Sequence, residues 1–205
     1  MPRPAGARNH DFDQKRAALL DALTDFALSA GLRRPSLRQF AQAVHQSEPT
    51  LRHYFTDRQG LVVEILGNIG RRARPIWSAV AAPSADVAAA VADFFRLSEA
   101  GMRTGNDVRA HAFGLIEGLA DEQAGKAYLD KVLEPALKAF TAKLQATPGA
   151  PLTETSLRAA ALAALSPMLV MSLHQELLGG AMSAPILMSE TMAQLQEWLS
   201  RALQG

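Results

Sequence analysis

Residues 36–55 have the sequence SLRQFAQAVHQSEPTLRHYF, which contains two short helical patterns. Ser36 is a suitable N-cap for the first pattern, whose apolar residues recur at helical spacing. Ser47 is the N-cap of the second, and Pro49 is tolerated in its first turn. Only His45 and Gln46 connect the two patterns. Two short helices joined by so tight a connector are typical of a helix-turn-helix.

Further helical patterns flank this stretch on both sides. The first runs from about Phe12 to Ala30, and Gly31 follows it as a stop signal. On the other side, Asp57 is a suitable N-cap for a fourth helix. That helix carries one apolar face: Leu61, Val62, Ile65, Leu66 and Ile69. The flanking helices are therefore expected to brace the helix-turn-helix.

The composition favours helices throughout the chain of 205 residues. It contains 38 Ala and 28 Leu but only 14 Val and Ile together, which favours helix over strand. Later helices are predicted at Ser84–Arg103, Asn106–Ala120, Asp121–Ala146, Thr153–Leu178 and Ala184–Leu203. Pro75, Pro135 and Pro167 lie inside helical patterns, where each could kink or break its helix. The sequence predicts an all-α protein.

Charge divides the chain although the total is only +1. Residues 1–74 hold 12 Lys and Arg against 7 Asp and Glu, whereas residues 75–205 hold 9 against 13. A basic first third indicates that this end meets a polyanion, although Arg71, Arg72 and Arg74 could simply form a solvated helix face. We expect two domains: an N-terminal arm and helix-turn-helix in residues 1–58, and a helical domain in residues 59–205.

Several classes of protein are disfavoured. The absence of cysteine removes disulfide frameworks and thiolate metal sites, and the N-terminus lacks the apolar stretch of a secretory signal. The longest apolar run, residues 159–173, is short for a membrane span and is interpreted as a buried helix. No GxSxG, GxGxxG, Walker or HExxH motif is found. We therefore expect a cytoplasmic, non-enzymatic protein with no membrane partner, no cofactor and no metal.

The second short helix of a helix-turn-helix enters the major groove of DNA. Its polar side chains offer donors, a cation and aromatic rings to phosphates and base edges. Arg58 lies in the first turn of the following helix, where an anion is favoured, and is a candidate phosphate clamp. His53 and Tyr54 could instead pack against the first helix. The predicted DNA-binding residues are Ser36, Arg38, Gln46, Ser47, Thr50, Arg52, His53, Tyr54 and Arg58.

The segment SLRQFAQAVHQSEPTLRHYFTDRQGLV resembles the TetR family of bacterial regulators. The resemblance covers about residues 12–66 and keeps the spacing of the family pattern. His45 stands where the pattern has a turn glycine, and Arg52 where it has a phosphate-contacting tyrosine. Histidine tolerates a positive φ, and arginine can bind a phosphate. The matching positions are Ser36, Ala41, Ser47, Thr50, Leu51, Phe55, Asp57 and Leu61.

The resemblance implies that the second domain binds a small-molecule effector and forms a homodimer. Aromatic, methionine and histidine side chains could line a mostly apolar cavity, although such residues also form ordinary cores. The candidates are Trp77, Phe94, Phe95, Met102, His111, Phe113, Met168, Met171 and His174.

The last predicted helix has apolar residues at alternating four- and three-residue steps, a seam suited to helix packing. With the helix before it, this seam could form a four-helix interface across a two-fold axis, or pack within one chain. The predicted dimer residues are Leu169, Leu173, Met188, Met192, Leu195, Trp198 and Leu199.

These observations predict a homodimeric transcriptional regulator that binds a palindromic operator in double-stranded DNA. The regulator is expected to be a repressor that a small, largely apolar ligand releases. The alternative is a helical enzyme or carrier that binds an apolar small molecule and does not bind DNA.

Overall fold

The computed structural model describes residues 5–29, 34–103, 106–150 and 153–204, without the side chains of residues 5–10, 102, 103 and 106. Helices account for most of these residues, and no strand occurs among them. The all-α prediction is confirmed.

The helices follow one another through short connectors. They are α1 (Ala5–Ser29), α2 (Leu37–Ala43), α3 (Glu48–Phe55), α4 (Arg58–Ala81), α5 (Val87–Arg103), α6 (Asn106–Ala120), α7 (Glu122–Tyr128), α8 (Glu134–Gln145), α9 (Glu154–Ser172), α10 (Gly180–Ser183) and α11 (Met188–Gln204). Two π-helical segments, Leu129–Leu133 and Leu173–Leu177, follow α7 and α9.

Three predicted caps begin the helices around the connector. The Ser36 Oγ accepts the Gln39 N–H at 3.2 Å, and the Gln39 side chain completes a capping box by accepting the Ser36 N–H. The Ser47 Oγ accepts the Thr50 N–H at 3.2 Å, while the Asp57 carboxylate accepts the Gly60 N–H at 2.7 Å. These bonds satisfy backbone donors that the first turn leaves unpaired, and so they fix where α2, α3 and α4 begin.

The chain forms two compact units. The described parts of the first unit are residues 5–29, 34–72 and 113–132, and the second contains the remaining described residues. This division differs from the predicted boundary at residue 58, because most of α4 and the end of α6 group with the helix-turn-helix. Helices α4 and α6 each continue from one unit into the other.

The first unit has an apolar core supplemented by a polar network between α1 and α4. Buried Asn68 donates to the Asp21 carboxylate at 2.8 Å and to the Thr24 hydroxyl at 2.9 Å. Arg72 also pairs with Asp21, at 2.8 Å. These bonds satisfy Asn68 inside the protein and tie α4 to α1. The core itself contains Leu20, Leu23, Phe40, Leu51, Phe55, Leu61 and Ile65.

The second unit has its own core, built from α5, α8, α9 and α11. The rings of Phe94 and Phe140 lie 4.3 Å apart between their centroids. Around them pack buried side chains from the other helices: Val91, Leu137, Leu144, Leu157, Ala161, Ala164, Met168 and Met192.

The three prolines do not end their helices. Helix α4 continues through Pro75 and α9 through Pro167. Pro135 lies in the first turn of α8, directly after the π-helical segment Leu129–Leu133. Because Pro135 has no N–H, it cannot bond the carbonyl of Lys131 four residues earlier. That carbonyl lies against Gly70 of α4, where a Cβ would approach it to 2.2 Å.

Several helix limits differ from the predicted ones. Helix α1 begins at Ala5 rather than near Phe12, and α5 begins at Val87 rather than Ser84. The last helix begins at Met188 instead of Ala184 because Pro185 disfavours helical geometry in the residue before it.

Residues Glu154–Leu177 are long and apolar enough to cross a membrane, judged by length and composition alone. Core helices of globular proteins pass the same test. In this unit α9 packs against α8 and α11, and its buried residues belong to the core. This packing accounts for the apolar character of the buried face of α9.

Candidate functional site

The connector between α2 and α3 has the geometry of a tight turn. His45 has a φ of 52°, in the left-handed region where the resembling pattern has glycine. The Gln46 N–H donates to the Ala41 carbonyl at 2.9 Å, and the His45 N–H donates to the Gln42 carbonyl at 3.2 Å. Histidine therefore occupies the glycine position without opening the turn.

Helix α3 has one buried face and one exposed face. Leu51 and Phe55 are buried, whereas Arg52 and His53 are exposed and Thr50 is half-buried. The remaining candidates in and before the turn are also at the surface of this unit: Ser36, Arg38, Gln46 and Ser47. The helix-turn-helix thus presents a continuous polar surface that includes two arginines.

Arg52 is the most accessible cation on α3. Among the residues that the structure describes, no acidic side chain pairs with it. By contrast, Arg16 of α1 pairs with Glu64 at 2.8 Å and lies 5.2 Å from the centroid of the Phe55 ring. Arg52 is therefore available to an external anion, while Arg16 holds α1 against its neighbours.

Aromatic rings join α1 to the end of α3. Phe12 stacks on Tyr54 with centroids 4.9 Å apart, and its edge meets His53 at 5.7 Å. Tyr54 is half-buried as a result. These contacts match the alternative to DNA contact, in which Tyr54 and His53 pack against the first helix. One face of Tyr54 is therefore occupied within the protein, whereas His53 keeps its exposed surface.

Arg58, the predicted phosphate clamp, has hydrogen-bond partners inside the first unit. Its guanidinium donates to the two oxygens of Glu117 at 2.6 and 3.1 Å, and its Nε–H donates to the Pro35 carbonyl at 2.7 Å. Glu117 is buried and also pairs with Arg34 at 3.2 Å. Three donors of Arg58 are thus committed inside the first unit, and the residue acts as an internal tie between α4, α6 and the start of α2.

Glu117 was not among the candidate residues. A signal for it exists in the sequence, since Glu117 lies one helical turn after Phe113 and therefore on an apolar face. A carboxylate on a buried face requires a cation, but the sequence does not show which one.

The second unit contains a cavity of about 80 Å³. Four of the predicted ligand residues line it: Trp77, Phe94, His111 and Met168. The other lining residues are Ile76, Val80, Ser98, Asp107, Val108, Ala136, Leu165, Leu169 and Ser172. Drug-sized ligands occupy pockets of about 300–1,000 Å³, so only a small molecule or part of one fits without enlargement.

Four other predicted ligand residues lie elsewhere. Phe95 and Met171 belong to the core of the second unit, and Phe113 belongs to the first unit. His174 lies in the second π-helical segment, with its Nδ1 2.6 Å from the Gln175 amide nitrogen. The side chain of Met102 is outside the described part of the structure. The sequence shows which residues are apolar, but it does not show which of these side chains line the cavity.

Two titratable side chains lie one turn apart on α6 and line the cavity. Burial lowers the pKa of His111 to about 4, so its imidazole is neutral at physiological pH. Burial also raises the pKa of Asp107. Among the side chains that the structure describes, no lysine or arginine lines the cavity. The cavity is therefore apolar, with a carboxyl group and a neutral imidazole as its titratable groups.

The predicted dimer seam packs largely within its own unit. Met192 is buried in the core, and Met188, Leu195 and Leu199 pack against that core. Leu169 lines the cavity, and Leu173 is half-buried. The seam thus packs on the adjacent helices α5 and α9, which is the alternative of packing within one chain. The large apolar residues exposed on α9 and α11 are Leu162, Val170 and Trp198, at 43%, 62% and 59%.

No protein-family model matches the chain, and no curated protein matches it in sequence. In structure, the chain is similar to a crystal structure described as a TetR-family transcriptional regulator from Rhodococcus sp., with a TM-score of 0.67 and 16% sequence identity. The similarity covers 94% of this chain and 100% of that one. The chain has the TetR-type fold. The TetR-type resemblance around residues 36–61 and the helical second half thus belong to one architecture.

Within the TetR-type fold, the described residues contain no group of three or more His, Cys, Asp or Glu side chains placed to hold a metal ion.

Proposed function

We propose that the protein is a one-component transcriptional regulator that binds DNA through α3. The observation that carries this proposal is the exposed polar face of α3 after a tight turn, in a chain with the TetR-type fold. Such a helix is suited to the major groove, where side chains reach base edges and phosphates. The regulator acts in the cytoplasm and performs no catalysis.

The contacts to DNA divide by chemistry. Arg52 binds a phosphate because it is the exposed, unpaired cation on α3, and Arg38 supplies a second cation. Gln46 offers an amide to a base edge from the turn. The Ser47 hydroxyl caps α3 and is hydrogen-bonded to the Thr50 hydroxyl at 2.8 Å, and both side chains face the groove. Ser36 and His53 also belong to the DNA-binding surface. Tyr54 fixes the position of α3 by stacking on Phe12 of α1.

Two copies of the chain are needed for a specific operator. One recognition helix covers only a few base pairs, whereas two helices about 34–36 Å apart can bind the two halves of a palindrome. Exposed Leu162, Val170 and Trp198 are suited to the two-fold interface, with the seam residues supporting them from within each unit.

A small, largely apolar ligand in the cavity would release the repressor from its operator. A ligand that prefers a conformation different from the DNA-bound one lowers DNA affinity by the same factor by which DNA lowers ligand affinity. Helices α4 and α6 are the connecting elements, since each belongs to both units.

The test is selection of bound sequences from a random DNA pool at a fixed salt concentration. The wild-type protein should enrich an inverted repeat, and the Arg52→Ala variant should enrich it less. Arg96→Ala, an exposed arginine of α5, serves as the matched control and should behave as wild type. Absence of enrichment would contradict the proposal and favour an enzyme or carrier that binds an apolar molecule.

A further inference from the structure

The charge of the cavity restricts what it can bind. Asp107 supplies a carboxyl group, and no lysine or arginine is found among the described side chains that line the cavity. The neighbouring His111 is neutral above about pH 4. An anionic ligand would therefore meet no compensating charge and would face the carboxylate. The choice lies between a neutral ligand and a cation.

The walls of the cavity favour a cation with an apolar body. Trp77 and Phe94 contribute aromatic rings, and a cation close to an aromatic face is attracted by the negative charge of that face. Ile76, Val80 and Met168 supply apolar surface for the rest of the molecule. Aromatic rings and one carboxylate together are the usual surroundings of an organic ammonium group.

The position of the Asp107 carboxylate depends on a glycine. A Cβ built on Gly101 of α5 would lie 2.2 Å from Oδ2 of Asp107, too close for any real contact. The same Cβ would lie 4.0 Å from Ile76, another lining residue. Glycine at position 101 thus leaves space for the carboxylate beside the cavity wall.

We propose that the cavity binds a small organic cation, an ammonium group on a short apolar chain, with Asp107 as its counter-ion and Trp77 and Phe94 around it. This inference rests on the proposed function, whose apolar effector it specifies. The ammonium group would supply a positive charge to the half-buried Asp107 carboxylate, which no described lysine or arginine of the cavity wall accompanies. The volume of about 80 Å³ limits the ligand to a few heavy atoms unless the cavity opens.

The test compares three probes of equal size and different charge: propylammonium, 1-propanol and propionate. Calorimetry on the full chain, without DNA, should give propylammonium an affinity at least about tenfold higher than that of 1-propanol, with propionate weakest. Asp107→Asn should reduce propylammonium binding to the level of the alcohol. Glu190→Gln, which removes an exposed negative charge on α11, should leave all three affinities unchanged.

A second variant covers the case in which Asp107→Asn fails to fold. Gly101→Ala places a methyl group where the carboxylate lies and should weaken propylammonium but not 1-propanol. Any one of four results would overturn the inference. They are equal or tighter binding of the alcohol, a preference for propionate, unchanged propylammonium affinity in Asp107→Asn, and binding of none of the probes. The DNA selection uses no ligand, so it separates failure of this inference from failure of the proposed function.

Discussion

The guanidinium of Arg58 donates two hydrogen bonds to the buried carboxylate of Glu117, at 2.6 and 3.1 Å. Arg58 begins α4, whereas Glu117 is near the end of α6, 59 residues later. Arg34 makes a third contact to the same carboxylate at 3.2 Å. Glu117, which is buried and pairs with two arginines, thus ties the helix-turn-helix to the helices that follow it.

Replacing Glu117 with Gln should therefore destabilise the first unit. The change leaves Arg58 without its charge partner, and breaking one side of a buried ion pair costs about 3 kcal/mol. Urea unfolding of the two proteins measures the difference. The control is Glu134→Gln, whose carboxylate also pairs with an arginine, Arg158, at 2.6 Å but at the surface. That change should cost at most about 1 kcal/mol. Equal effects would show that burial adds nothing to the Arg58–Glu117 pair.

Arg52→Ala should change how DNA affinity depends on salt. Each phosphate contact releases condensed counterions, so losing one contact lowers the slope of log affinity against log salt by about 0.9 per recognition helix. Fluorescence anisotropy on the selected operator, between low and moderate salt, measures this slope. Arg58→Ala should weaken binding through loss of stability and leave the slope unchanged. A slope for Arg58→Ala below that of wild type would show that Arg58 contacts a phosphate.

Features fixed by neighbouring residues were predictable from the sequence. Ser36, Ser47 and Asp57 cap their helices because a cap is a contact between residues three apart. The turn at His45 follows from the same local geometry. Pro75 and Pro167 show the limit of local rules, since both helices continue through them.

Features fixed by distant residues were not predictable. The partner of Arg58 is 59 residues away, and the heptad seam around Met192 packs on α5 and α9 of its own chain. A seam of this kind is equally suited to a neighbour in the same chain or in a second copy. The cavity residue Asp107 was also missed, because a carboxylate in the first turn of a helix ordinarily faces solvent.

Lys143→Met should destabilise the second unit although the side chain remains unbranched and nearly as long. Lys143 is buried, and its ammonium donates to the Ala82 carbonyl at 2.6 Å and to the Ser84 hydroxyl at 2.7 Å. Methionine leaves the Ala82 carbonyl without this donor and removes the charge that pairs with Asp93 at 3.6 Å, at a cost of about 2–3 kcal/mol. Thermal unfolding measures the loss. Lys138→Met, at an exposed position of the same helix, should change stability by less than about 0.5 kcal/mol.

His111 should make the protein less stable in mild acid. Burial lowers the pKa of this imidazole to about 4 in the folded protein, whereas the ordinary pKa of about 6.5 applies when the chain is unfolded. Between these values the unfolded chain binds the extra proton, so stability falls as the pH drops from about 6.5 to about 4 and is constant with respect to this group above that range. The full shift corresponds to at most about 3 kcal/mol.

Two measurements isolate this contribution of His111. Urea unfolding between pH 4 and 7 should show a steeper acid loss in wild type than in His111→Gln. Burial raises the pKa of Asp107, and protonation of this group in the folded protein adds stability as the pH falls. Its effect therefore opposes that of His111. Both proteins are best compared in an Asp107→Asn background. In NMR titrations the ring signals of His111 should stay constant until the pH approaches about 4. A midpoint near 6.5 would show that the imidazole is solvated and that the cavity can carry a positive charge, which would also weaken the case for a cationic ligand beside it.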